Sequence, residues 1–271
     1  MKRTHTISYF IIRLILLIGA FISIFPFIWM IIGTTQNPND VVRGVLKPGN
    51  EFLSNWKKVN ASYSVFTFFM NSFVIAFTTV AGGLVINGLA AFGFEKYRSR
   101  KREVFFNILL VSMILPQMAI VIPLFRQMAF FNLLNTRIAI ILPSLVSVFI
   151  IFFLRQNFKM FPTEIMEAAR VDGAGELSIF LRIVVPSMKA TFASASIYLF
   201  LGQWNSYLWP LMTILSDAKK TLPIAMSSMM RAYTIEYGGL MILVCISTLP
   251  ILVLFLTMQR QFVAGLLGSI K

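Results

Sequence analysis

The chain has 271 residues, of which 58% are hydrophobic and 13% charged, and its mean hydropathy is +0.80. This composition lies outside the range of soluble domains and predicts a membrane protein. The net charge of +14 does not indicate a nucleic-acid partner, because the basic residues cluster in short connections between apolar runs, as topology signals do.

Six apolar runs with few or no charges are long enough to cross a bilayer, which requires about 20 helical residues. In chain order they are 14–39, 59–94, 104–125, 138–154, 190–216 and 237–259. The sequence therefore predicts an all-α polytopic membrane protein with six transmembrane helices. The first run is too long for a signal peptide and lacks a convincing cleavage site, so we interpret it as a retained span.

The basic segment 96–102 decides the orientation, because it is short and adjoins two spans. It predicts that this segment faces the cytoplasm, together with both termini and segment 162–186. We therefore expect a multi-pass protein of a bacterial cytoplasmic membrane, surrounded by lipid. Small residues in the second run, Ala81-Gly82-Gly83 and Gly88, predict close helix packing.

Segment 162–186 is a polar, helix-forming stretch between two apolar runs. Glu164 and Glu167 would lie near the helix N-terminus, whose positive end favours anions. Gly173 and Gly175 are expected to take the left-handed conformation that ends such a helix. Two further patterns are present, a small-residue face and a second amphipathic turn closed by Pro186. The face consists of Ile165, Ala168, Ala169 and Asp172, and the turn of Leu177, Phe180, Leu181 and Val184.

This segment also carries a family resemblance. Glu167-Ala168-Ala169, Gly173, Ile183 and Val185-Pro186 resemble, in composition and spacing, the EAA loop of ATP-binding-cassette (ABC) importer permeases. The resemblance implies the type I importer permease fold, with a short cytoplasmic coupling helix that docks on an ATPase subunit. Glu167 and the Ala168/Ala169 face would then make the contact, and Gly173 the turn. The implied ATPase-coupling residues are Glu164, Glu167, Ala168, Ala169, Asp172, Gly173 and Pro186.

Three further motifs are similar to permeases of maltose-type carbohydrate importers: 25–30, 204–211 and 261–265. This likeness implies a permease subunit of an ATP-driven importer for a sugar or oligosaccharide, forming half of the translocation path. The implied partners are a second, homologous permease, two ATPase subunits and an extracytoplasmic solute-binding protein. This chain would bind no cofactor, since ATP and Mg²⁺ would bind the ATPase.

The resemblance also suggests three divisions of the chain. Residues 1–65 would contain the N-terminal tail, the first span and an outer loop. Residues 66–262 would form the importer transmembrane domain, and 263–271 a cytoplasmic C-terminal tail.

Uncharged polar groups inside the apolar runs are candidates for the substrate path. Amides can bind sugar hydroxyls, and Trp and Tyr rings can stack on a pyranose. Hydrogen bonding between helices, or an interfacial aromatic belt, is the commoner role of any single residue of this kind. The candidates are Asn71, Asn87, Gln117 and Gln203-Trp204-Asn205-Ser206-Tyr207, and the group 203–209 is favoured as a set over any single member.

Other functions have little support in the sequence. The spans contain no carboxylate for a proton or sodium relay, and Asn50-Glu51 follow Gly44 and Gly49 where a phosphate-binding loop needs Lys-Ser/Thr. One histidine, His5, and one cysteine, Cys245, give no catalytic or metal-binding set, so we expect a transporter subunit and not an enzyme. Two alternatives stay open: a permease for glycerol-3-phosphate or another small polar solute, and a non-transport membrane scaffold.

Overall fold

The computed structural model describes residues 2–97 and 99–266, with side chains for 10–97 and 99–260. Within these ranges the regular structure is helical and contains no strand, which confirms the all-α prediction. The motif side chains of 261–265, Arg98 of the basic segment, and residues 267–271 of the predicted C-terminal tail lie outside the described part.

Fifteen α-helices are present in the described ranges, with one π-helical turn (Phe180–Val184) and one 3₁₀ turn (Asp217–Lys219). In chain order the α-helices are α1 Lys2–Thr34, α2 Pro38–Val42, α3 Phe52–Ser62, α4 Val65–Lys96, α5 Arg100–Ser112, α6 Gln117–Phe130, α7 Arg137–Ser144, α8 Val148–Phe158, α9 Thr163–Val171, α10 Glu176–Ile179, α11 Val185–Ser187, α12 Lys189–Trp204, α13 Leu208–Thr213, α14 Leu222–Met230 and α15 Tyr237–Leu266.

Length and composition qualify four described helical segments as membrane spans: Phe10–Thr34, Val65–Lys96, Arg137–Phe158 and Tyr237–Arg260. Two bent helix pairs raise the number to six if each pair counts as one span. They are Arg100–Ser112 with Gln117–Phe130, bent by 103°, and Glu176–Ser187 with Lys189–Trp204, bent by 87°. The six-span prediction agrees with this count.

Three predicted spans are not continuous helices, and the fourth run breaks at 145–147, between α7 and α8. The third run breaks between Ser112 and Gln117, because Pro116 lacks an N–H and disfavours helical geometry in the residue before it. The fifth run breaks at 205–207, between α12 and α13. The first residues of the second run, 59–62, belong to α3, which the extended backbone of Tyr63 (φ −135°, ψ 118°) ends, and α4 begins at Val65.

The chain divides into two compact units. The first contains residues 1–65 and 225–249. In it the buried Asn55 donates its Nδ2 to the carbonyl of Thr34 at 3.0 Å and to that of Gln36 at 2.8 Å. These carbonyls follow the last turn of α1 and lack helical partners, so Asn55 completes the end of that helix.

The second unit contains residues 66–224 and those from 250 onward. Its main buried cluster is rich in aromatic rings and includes Phe92 of α4, Phe158 of α8 and Phe180 of the π turn. Close packing depends on glycine, as predicted: a Cβ on Gly82 would lie 2.7 Å from Leu145, and one on Gly88 would lie 3.0 Å from Phe180. A larger residue at either position would require the end of the Leu145 or Phe180 side chain to move.

Candidate coupling helix and transport cavity

Helix α9 is the short polar helix that the sequence predicts. Gly173 ends it with a left-handed backbone (φ +82°), as predicted. The Gly173 N–H donates to Arg170 at 3.0 Å and the Ala174 N–H donates to Ala169 at 2.9 Å, which together form a Schellman motif. The prediction is wrong for Gly175, which has extended backbone (φ −72°, ψ 155°) and precedes α10 as its N-cap.

The two sides of α9 have different surroundings. Met166 and Ala169 are buried, with 1% and 8% of their surface exposed, and both belong to the main aromatic cluster. Ile165 and Val171 are exposed, and Val171 retains 88% of its surface. Glu164, Glu167, Ala168 and Asp172 are exposed as well.

The predicted contact face therefore needs a correction. Ala169 packs into this chain's own core and has 8% of its surface exposed, so little of it is accessible to another protein. Small side chains at helical spacing predict a shallow face, but they do not reveal whether the chain itself covers it. Met166, which sequence reasoning missed, lies one turn from Ala169 on the buried side, since residues i and i+3 share a face.

The second amphipathic turn also differs from its prediction. Ile179, Phe180 and Val184 are buried, whereas Leu177 and Leu181 are exposed. The π-helical turn explains the difference, because its extra residue shifts the faces relative to a regular α-helix. Pro186 follows this turn and is exposed.

An ion pair joins α9 to α10 across the glycine turn. Arg170 donates its Nε to Glu176 at 2.7 Å and an Nη to the same carboxylate at 3.3 Å. The hydrogen bond that Arg170 donates to Glu176 raises the pKa of Arg170 above its already high value, so the guanidinium stays charged. Both side chains are exposed by more than a third, so the pair orients the turn and contributes little to stability.

A charged cluster with a buried arginine lies at the ends of α4, α5 and α8, and we call it the Arg155 cluster. Arg155 is 3% exposed. Its Nε lies 3.2 Å from Glu95 and its Nη2 lies 2.6 Å from Glu103. Its guanidinium also lies over the Phe106 ring, 4.0 Å from the centroid. Sequence reasoning assigned these residues to separate segments and did not predict that they meet.

A cavity of about 390 Å³ lies in the second unit and brings together two predicted path residues, Gln117 and Gln203. No side-chain hydrogen bond joins either amide to another described residue. The cavity is lined by Thr79, Gln117, Ile120, Val121, Leu124, Pro143, Ser144, Val146, Ser147, Tyr198, Leu199, Gly202, Gln203, Ser206 and Trp209. Ser206 was a predicted candidate, whereas Ser144 and Ser147 were not, and their position beside a helix break is the signal that could have identified them.

Asn87, a predicted path residue, has a structural role instead. It is fully buried and donates Nδ2 to the carbonyls of Gly83 and Leu145 at 2.6 and 2.9 Å. Its Oδ1 accepts the backbone N–H of Ser147 at 2.8 Å. Asn87 thus satisfies the backbone groups at the break between α7 and α8, which lipid could not do.

Asn71 likewise binds within the chain. It donates to the carbonyls of Ala218 and Lys220 and accepts a hydrogen bond from Arg137 at 2.7 Å. The commoner role, hydrogen bonding between segments, is therefore the one observed.

The aromatic candidates also lie away from the cavity. Trp204 is 2% exposed and packs against Phe69 and Phe200, so it is a core residue. Asn205 is exposed and donates to the Leu201 carbonyl at 3.0 Å. Tyr207 is half-buried but does not line the cavity. Within the group 203–209, Gln203, Ser206 and Trp209 line the cavity.

The sequence profile of one protein family, described as the binding-protein-dependent transport system inner membrane component, matches residues 83–267. The chain belongs to this family. The membership confirms the resemblance to importer permeases and makes the protein a multi-pass membrane subunit of a transport system.

Curated relatives align with this permease over almost its whole length. The lactose transport system permease protein LacG of Rhizobium radiobacter is 46% identical over 95% of this chain and 94% of the relative. The arabinooligosaccharides transport system permease protein AraQ of Halalkalibacterium halodurans is 32% identical, covering 93% and 92% of the two chains. The sn-glycerol-3-phosphate transport system permease protein UgpE of Yersinia pestis is 31% identical over 96% of both.

A solved structure shares the fold of this permease. It belongs to a bacterial ABC transporter involved in the import of the acidic polysaccharide alginate. The TM-score is 0.83, the alignment covers 96% of this chain and 98% of the other, and 22% of the residues are identical. The predicted importer permease fold is thereby confirmed.

Proposed function

We propose that this chain is the permease subunit of an ATP-driven importer for a neutral sugar or oligosaccharide, and that α9 couples it to a separate ATPase. The observation that carries the coupling role is the division of α9 into two faces. Its buried face belongs to the same core as the membrane helices, and its exposed face combines apolar and acidic side chains. Such a surface suits a partner groove with an apolar floor and a basic rim.

Movement of the ATPase would reach the spans through this shared core. Met166 and Ala169 pack in the cluster that contains Phe92, Phe158 and Leu199, from three different membrane helices. Protein cores have low compressibility, so a displacement of α9 moves the helices against which it packs. The permease would then alternate between two states whose populations ATP binding changes.

The remaining parts of the assembly belong to this proposal. The family description names a binding protein, and we infer that it is extracytoplasmic, with both termini of this chain cytoplasmic. A second, homologous permease would complete the path, two ATPase subunits would bind ATP and Mg²⁺, and this chain would bind no cofactor. Helix α1 between Phe10 and Thr34 is apolar and exposed, which suits contact with lipid or with that second permease.

The cavity favours a neutral substrate over glycerol-3-phosphate. Among the described residues that line it, none is Lys, Arg, His, Asp or Glu. A phosphate group entering such a site would lose its hydration without gaining a cation. Arg137 does not supply one, since it binds Asn71. The relative with the higher identity, at 46%, is a lactose permease, and the glycerol-3-phosphate relative is 31% identical.

Reconstitution tests both parts of the proposal. The chain is purified with its second permease, ATPase and binding protein, and ATP-driven uptake of labelled lactose, maltose, arabinobiose and glycerol-3-phosphate is measured in proteoliposomes. We expect uptake of one of the sugars and none of the phosphate ester. Uptake of glycerol-3-phosphate alone would contradict the proposed substrate class.

Ala168→Arg tests the coupling role of α9. This alanine is exposed, so the variant should insert normally while uptake and transport-linked ATP hydrolysis fall at least tenfold. Ala61→Arg is the matched control, because Ala61 is also an exposed helical alanine and lies in α3. Full uptake by Ala168→Arg would remove α9 from the coupling mechanism.

A further inference from the structure

One hydroxyl on the cavity wall has an unusual environment. Thr79 lies in α4 with 1% of its surface exposed, and its Oγ1 is buried without a hydrogen-bond partner among the described residues. Helical Ser and Thr commonly donate to the carbonyl four residues earlier, as Ser144 and Thr213 do here. Thr79 makes no such bond, so a residue of the cavity lining has a hydroxyl whose hydrogen-bonding capacity is unused within the described residues.

The rest of the wall offers groups of matching chemistry. The amides of Gln117 and Gln203 each carry donors and an acceptor, and both line the same cavity. The ring centroids of Tyr198 and Phe149 lie 4.5 Å apart, and Tyr198 lines the cavity. Neutral groups that both donate and accept, next to an aromatic ring, suit a sugar, whose hydroxyls do the same and whose C–H face is apolar.

The irregular backbone around the cavity indicates that the cavity holds polar molecules. Three helix breaks border it, and Gln117, Ser147 and Ser206 lie at one each. Within a membrane, irregular backbone is tolerated where it is buried in protein or lines a polar cavity, and binding sites commonly form at such breaks. The volume of about 390 Å³ falls within the range of roughly 300–1,000 Å³ that is typical of small-molecule sites.

We propose that Thr79 determines specificity by hydrogen-bonding one hydroxyl of a neutral sugar ring held in this cavity between Gln117 and Gln203. This inference rests on the proposed function, and it assigns direct substrate recognition to this subunit in addition to the binding protein. The other buried threonine without a partner, Thr221, does not line the cavity, so it provides a comparison within the same chain.

The test uses the reconstituted complex and the sugar that the wild type carries fastest among lactose, maltose and arabinobiose. Thr79→Val replaces the hydroxyl with a methyl group of similar size, Thr79→Ser retains the hydroxyl, and Thr221→Val is the matched control. Uptake is measured for the parent sugar and for its monodeoxy analogues, using only analogues that the binding protein binds at saturation.

We expect Thr79→Val to lower uptake of the parent sugar by about 3- to 10-fold, the loss that one neutral hydrogen bond predicts. Thr79→Ser should restore it, and Thr221→Val should leave it unchanged. The decisive expectation is that one monodeoxy analogue is carried equally by wild type and Thr79→Val, because it lacks the hydroxyl that Thr79 would bind.

Each other outcome has a distinct meaning. Equal losses on every analogue would assign Thr79 to packing or to contact with a partner side chain, and would overturn the inference while the importer function stands. A loss of uptake in Thr79→Val no larger than that in Thr221→Val would also overturn the inference while the importer function stands. If the wild-type complex carries none of the sugars, the proposed function fails, and this contact fails with it.

Discussion

The Arg155 cluster and the cavity differ in whether their polar groups have partners within the chain. In the cluster, the guanidinium of Arg155 meets two carboxylates and an aromatic ring, all from this chain. Around the cavity, Thr79, Gln117 and Gln203 make no side-chain hydrogen bond to another described residue. Satisfied polar groups fix three helix ends in one arrangement, whereas unsatisfied groups leave a site whose partners must come from outside the chain.

The two faces of α9 also differ in whether their contacts lie within the chain. Its buried face completes a packed core, and its exposed face keeps Val171 almost fully accessible. A region that transmits movement must be rigid on one side and available on the other. The following predictions test this division, beginning with the variant expected to have the largest effect.

Ala169→Arg should prevent stable folding. Ala169 is 8% exposed and packs in the main cluster, so arginine would bring a long unpaired cation into the core. We expect a loss of about 5 kcal/mol or more, seen as near-absence of folded protein after extraction from membranes. Ala168→Arg, at the adjacent exposed position, should be recovered at wild-type level. Equal recovery of the two variants would contradict the assignment of faces.

Arg155→Met should lower stability by about 3–5 kcal/mol, the range found when one partner of a buried ion pair is removed. The variant leaves the Glu95 carboxylate buried without its guanidinium. Thermal melting of the detergent-solubilised protein measures the effect. The double variant Arg155→Met with Glu95→Gln should recover part of the loss, and a double variant that melts lower still would argue against the pair.

Asn87→Ala tests whether the Asn87 amide has a structural role or binds substrate. The substitution leaves the Leu145 carbonyl and the Ser147 N–H unpaired, so we expect a loss of about 3 kcal/mol in stability. Residual uptake should fall by the same factor for every sugar and every deoxy analogue. A loss confined to one analogue would return Asn87 to the substrate path.

Gly173→Ala should have the smallest effect, about 1 kcal/mol, because alanine is strained at φ +82°. Gly175→Ala is the matched control, since its φ is −72° and a Cβ at either glycine meets no atom within 4 Å. Melting temperatures should therefore differ between the two variants although neither introduces a clash. Identical melting would show that the left-handed turn carries no strain.

Much of the fold could be predicted because membrane burial leaves a simple signal. Long apolar runs indicated the spans, and Gly173 indicated the end of α9. Interruptions inside the runs were not predicted, although Pro116 lies at one of them and the polar residues Asn205 and Ser206 lie at another, because each run as a whole is apolar enough for a continuous span. Hydropathy measures the surroundings of a segment and not the path of its backbone.

The candidate sites could be predicted less well. The sequence identified the amides inside the spans but could not distinguish Asn87, which binds backbone, from Gln117, which faces the cavity. That distinction depends on which helices pack together, which the sequence does not show. For the same reason Ala169 was assigned to the wrong face. The domain bounds 1–65, 66–262 and 263–271 and the coupling residues as a functional set stay predictions.

The π-helical turn at Phe180–Val184 has a consequence for engineering and for aligning related sequences. Each residue of an α-helix turns the chain by about 100°, so removing one residue here would rotate everything before it and not merely shorten the segment. Leu177, now exposed, would then point elsewhere, and the direction of α9 relative to α12 would change with it. A gap of one residue in an alignment at this point therefore represents a rotation of the preceding segment about the helix axis.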